Sequence, residues 1–122
     1  MDSKLLIFRV SLSPRNQISV IYLYQILLNN RNSAYCFNSN HLEFSLITYY
    51  NIIHDLKELI VNSENTEYSF NAYTLSLIIN KADLLLNTIP TSTGRSGHEL
   101  ALVLLDVKDT LHTILSLLIE SN

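Results

Sequence analysis

Ser96–Glu120, SGHELALVLLDVKDTLHTILSLLIE, is the stretch that decides the fold of this chain. Leu100, Leu104, Val107, Leu111, Ile114 and Leu118 recur at alternating steps of four and three, which lines them along one stripe of an α-helix. Ser96 and Glu99 stand three apart just ahead of the stripe, the spacing of a capping box, so a helix is expected over about 97–120. A stripe of this kind has to be buried against other helices. Asp106, Lys108, Asp109 and His112 interrupt the run, so it does not read as a membrane span.

The same periodicity recurs upstream. Pro90 closes a helix expected over 70–89, whose stripe is Ala72, Leu75, Ile79, Ala82, Leu86 and Ile89, widened by Ile78 and Leu85. Thr91–Gly97 between these two helices is the most loop-like part of the chain. An earlier helix is expected over 41–61, with Leu42, Leu46, Tyr49, Ile53, Leu56 and Ile60 in register and Asn40 with Glu43 as its cap. Ser13-Pro14 starts a further helix over 14–29, since the hydroxyl caps and proline suits the first helical position. The run Ile18–Leu28 is apolar nearly all round, which places that helix centrally in the core. Ahead of it, Leu6, Phe8, Val10 and Leu12 alternate with other residues, the period of a strand over 5–12. A lone strand needs a partner edge, from a second copy of the chain for instance, and the alternative is that the segment is helical. The fold class is therefore all-α: one domain over 1–122, an antiparallel bundle of about four helices with the N-terminal strand as an open addition.

Composition narrows the function. Hydrophobic residues make up 48% of the 122 and charged residues only 16%, too apolar and too sparsely charged for disorder. The formal net charge is −3, and the 8 Lys plus Arg form no run or stripe, which argues against a nucleic-acid surface. One cysteine, Cys36, makes no internal disulfide framework. The apolar run before Arg9 is too short for a signal peptide, and no stretch is long enough for membrane insertion, so the expected location is cytoplasmic.

Each group with chemical potential has a plainer reading. Asp106, Asp109 and His112 recur every three residues, yet Asp109 points away from the leucine stripe, where bundle metal ligands do not sit. His54, Asp55 and Glu58 match no metalloprotease or di-iron pattern and read as surface, with His54 and Glu58 placed to pair across one turn. Cys36 with His41 lacks an orienting third group, and the flanking Tyr35 and Phe37 favour a small side chain in a core. Neither a metal nor a cofactor is implied. Gly94, Arg95, Ser96 and Gly97 form the remaining candidate, an anion-binding loop at a helix N-terminus, although the lysine of a P-loop is absent.

What remains is apolar surplus. Ala101, Leu102, Leu105, Leu115 and Leu117 widen the last helix beyond its stripe, and Phe44, Ile47 and Ile52 do the same in the second. Tyr50, Tyr68 and Tyr73 suit an interface, since tyrosine is apolar with one wet end. The expected function is a non-enzymatic protein–protein interaction module, of the small adaptor, chaperone or inhibitor/immunity type. Its partner is another protein or itself, most simply in a homodimer, with Leu105, Leu115, Tyr50, Tyr68 and Tyr73 as candidate contacts. The alternative is a small-ligand or anion-binding regulator using the Gly94–Gly97 loop. Abundant Asn, Ile and Tyr suit an AT-rich bacterial or viral gene.

Overall fold

In the computed structural model, residues 8–65, 67–90 and 94–120 are described. Four α-helices carry the fold: α1 (Pro14–Asn29), α2 (Leu42–Asn62), α3 (Tyr73–Leu86) and α4 (Gly94–Glu120). Neighbouring contacts run α1–α2, α2–α3, α3–α4 and back from α4 to α1, so the helices form an antiparallel four-helix bundle around one core. The leucine stripe of α4 lies where its periodicity puts it: Leu100, Leu104, Val107 and Leu111 are fully buried and Ile114 nearly so, with Leu118 at the margin.

Helix α1 begins where Ser13-Pro14 predicts, with the Ser13 hydroxyl accepting from the Asn16 N–H at 3.2 Å. Its other expectation is corrected. Only Val20, Leu23 and Leu27 are buried, while Ile18 is 68% and Tyr22 52% exposed, so α1 is a side of the bundle and not its axis. In a bundle of four, each helix contacts two neighbours and keeps an outer face, whatever residues that face carries.

The Asn40–Glu43 cap also differs. Two short 3-10 turns, Arg31–Cys36 and Ser39–His41, fill the α1–α2 connection, and Asn38, not Asn40, accepts through its side chain, from the Asn40 N–H. The connector crosses the top of the bundle. Its first turn packs on α2 and α4, and the Asn38 N–H donates to the Thr88 carbonyl just past α3. Ala34 and Phe37 are its buried anchors.

The short strand is present as β1 (Arg9–Val10), antiparallel to β2 (Phe70–Asn71), with Arg9 opposite Asn71 and Val10 opposite Phe70. Its partner edge comes from within the chain. Residues 5–7 of the expected strand lie outside the described residues. The pairing shortens the third helix, expected from 70, to a start at Tyr73: Phe70 and Asn71 serve the sheet, and the Asn71 side chain accepts from the Tyr73 N–H at 3.0 Å. At the far end of α3, Thr88 donates through its hydroxyl and its N–H to the Leu85 carbonyl, ending the helix ahead of Pro90.

Candidate functional site

Helix α4 starts at Gly94, three residues earlier than the Ser96 cap predicts. Gly94–Gly97 is thus a helical first turn and not a loop. Gly94 holds φ +68, a left-handed backbone that glycine tolerates. Ser96 lies within the helix, and Glu99 accepts from Arg95 at 3.2 Å instead of closing a capping box. The Arg95 side chain is 92% exposed and engaged with that carboxylate, which competes with any incoming anion. Gly97 is buried. Residues 91–93 of the anticipated loop lie outside the described residues.

No group of three or more His, Cys, Asp or Glu able to hold a metal ion occurs among the described residues. Asp106 accepts from Thr110 at 3.4 Å, while Asp109 and His112 are exposed. His54 and Glu58 do pair across one turn, at 3.3 Å, on an exposed face. Asp55 turns the other way and meets Lys81 of α3 at 2.9 Å, half-buried. Cys36 is half-buried and free. His54 lines a shallow depression built wholly on α2, with Lys57, Glu58, Val61 and Asn62. A cleft of about 440 Å³ runs between the start of α1 and the end of α4, past Arg15, Ser19, Asp109 and Thr113. Its Ser19 and Thr113 hydroxyls are spent on carbonyls of their own helices, at 3.4 and 2.9 Å. Nothing in these clefts sets a nucleophile against a base.

The candidate interface residues divide. Leu115 is 8% exposed and belongs to the core of the chain, so it offers little surface to another molecule. Tyr68 and Tyr73 are half-buried, Tyr68 stacked on Phe70 beside the small sheet. Leu105 is 42% exposed and Tyr50 44%. Leu105 and its neighbour Leu102 lie on an α4 face that also carries Arg95, Glu99 and Asp109. Ile52, read as surplus, is fully buried; Phe44 and Ile47 are more than half exposed.

The most continuous apolar surface lies elsewhere, across α1 and α2. Helical geometry fixes the sides. Asn16 and Ser19 face α4 across the cleft, so Ile21, on the opposite flank of α1, faces the α2 side. Asp55 reaches α3, so Tyr50, on the opposite flank of α2, faces the α1 side. The two helices are held at that seam by the Tyr49 hydroxyl, which donates to the Leu27 carbonyl in the last turn of α1. Ile18 and Ile21 of α1 and Ile47 and Tyr50 of α2 therefore border one exposed face, while Tyr22 turns toward the α4 flank of α1 and Phe44 toward the α3 flank of α2.

The α1 half of this face is set apart by its electrostatics, while the α2 half carries the exposed Glu43 and Lys57. From Asn16 to Asn30 the chain carries no Asp, Glu, Lys, Arg or His. The inter-helix ion pairs, Asp55–Lys81 and Asp83–Lys108, lie at the α2–α3 and α3–α4 seams, and among the described residues none involves α1. Sequence reading missed Ile18, Ile21 and Tyr22 because an all-round apolar helix reads as central. The usable signal was that charge-free run, which an outward face rarely shows. Comparison with protein-family models, curated proteins and solved structures finds no match for this chain.

Proposed function

We propose that the protein is a non-enzymatic interaction module and that it meets its partner through the α1–α2 face. The observation that carries this reading is the exposed side of α1 that turns from α4: Ile18 at 68% and Ile21 at 37% exposed, within a stretch that has no charged residue. Leaving such a surface in water forgoes roughly 25 cal/mol for each Å² of apolar area, and a contiguous apolar patch marks a contact surface more often than a solvated one. Tyrosine and the large aliphatic residues are suited to the dry centre of a contact.

The test is a photo-crosslinking residue placed at Ile18, compared with one at Asp109 on α4, in cells producing the protein. Discrete adducts from position 18 that are absent from position 109 are expected. No adduct from position 18, or the same pattern from both positions, would refute the reading.

A further inference from the structure

We infer that the occupant of the α1–α2 face is a second copy of this chain, docked across a two-fold axis with α2 antiparallel to its own counterpart. This rests on the proposed interaction face and adds the partner and the register.

Charge complementarity carries the inference. Glu43 and Lys57 are both exposed, both on the α1 side of α2, and neither forms an ion pair among the described residues. They stand fourteen residues apart (57 minus 43), which is about 21 Å along the helix and about 40° around it. Their midpoint is residue 50, so an antiparallel copy centred on Tyr50 brings Glu43 against Lys57 of the second copy and, by symmetry, Lys57 against its Glu43. Tyr50 then lies on the two-fold axis, with Ile47 beside it in the apolar centre. A parallel docking sets Glu43 against Glu43. Docking α1 onto the α2 of the other copy sets Glu43 and Lys57 against the Asn16–Asn29 part of α1, which has no charged residue, and leaves them buried unpaired. Of these three arrangements, the antiparallel, like-on-like one pairs Glu43 with Lys57 and matches the uncharged Asn16–Asn29 part of α1 with itself.

The size of the face agrees. Helix α1 spans 16 residues and α2 spans 21, so two helices side by side make a face about 20 Å wide and 24 to 31 Å long. That is roughly 500–600 Å² in plan; the accessible area of a ridged surface exceeds its plan and approaches the ~800 Å² per partner of a standard interface. A self-complementary patch on both copies is the geometry of a closed two-fold dimer.

The test is the mass in solution by light scattering over a dilution series, for the full chain and for Glu43→Lys, Lys57→Glu and the double variant. Wild type is expected to approach twice 13.9 kDa. Each single substitution sets like charges together at two places per dimer, and should weaken association about tenfold at low salt; the double swap should restore it to within about threefold of wild type. Glu43 and Lys57 are exposed, so all three variants are expected to keep the wild-type circular dichroism. A wild-type monomer at every concentration overturns the dimer, as does a dimer whose two single effects add in the double variant. The interaction face itself stands or falls separately, on whether position 18 crosslinks to a chain of any kind.

Discussion

At the scale of single residues, Tyr49 and Ser45 show what the core demands of polar groups. Tyr49 is fully buried, and its hydroxyl satisfies the Leu27 carbonyl, one of the last four of α1 that lack a helical partner. Burial pushes the Tyr49 phenol well above the ordinary tyrosine range, reinforced by Tyr50 and opposed by Arg31. Tyr49→Phe is expected to cost about 1–2 kcal/mol at neutral pH, measured by urea unfolding, since it strands a buried acceptor. The sign with pH follows. A phenol whose folded value is raised contributes stability that is full below its unfolded value of about 10 and is lost as the pH climbs toward the folded one. The gap between wild type and Tyr49→Phe should therefore shrink above about pH 10. Ser45 is the converse: its Oγ is fully buried and makes no hydrogen bond. Ser45→Ala is expected to stabilise by up to about 1 kcal/mol in the same assay, because it removes an unpaired hydroxyl and improves helix propensity. Tyr49 is legible in the sequence as an inward residue of its stripe. The idle hydroxyl of Ser45 is not, because i, i+3, i+4 spacing ranks faces by hydrophobicity and gives a buried serine no distinct mark.

At the scale of elements, the helices whose starts carry local chemistry are the ones that sequence places best. Ser13-Pro14 specifies the start of α1 within its own few residues, and Ser13→Ala should cost about 1 kcal/mol in thermal unfolding. Where long-range pairing competes with local signals, the sequence misleads. Phe70 and Asn71 continue the α3 pattern, yet they pair with Arg9 and Val10, some sixty residues away, and so leave the helix. The Ser96–Glu99 pattern likewise yields to a start at Gly94. Gly94 has open space where a Cβ would sit but holds φ +68, so Gly94→Ala is expected to cost about 1 kcal/mol through backbone strain alone, read by the same melt.

At the scale of the whole molecule, the bundle was legible because three amphipathic stripes and one nearly uniform apolar helix leave few other ways to be buried. The outward face was not, since which side of a nearly uniform apolar helix faces water depends on how many neighbours surround it. The Leu105 and Leu115 pair illustrates the difference, for both read as surplus on α4 and only one is on the surface. Leu115→Lys should unfold the chain, by more than about 3 kcal/mol, because it puts a charge into the core. Leu105→Lys should leave both fold and association unchanged, whereas Ile18→Lys should give a folded monomer, all three read by circular dichroism and light scattering. The most direct test of the account is an amide chemical-shift dilution series by nuclear magnetic resonance on the wild-type chain. Concentration-dependent shifts centred on Ile18, Ile21, Ile47 and Tyr50 are the predicted result; shifts centred on Leu102 and Leu105 of α4, or none at any concentration, would contradict it.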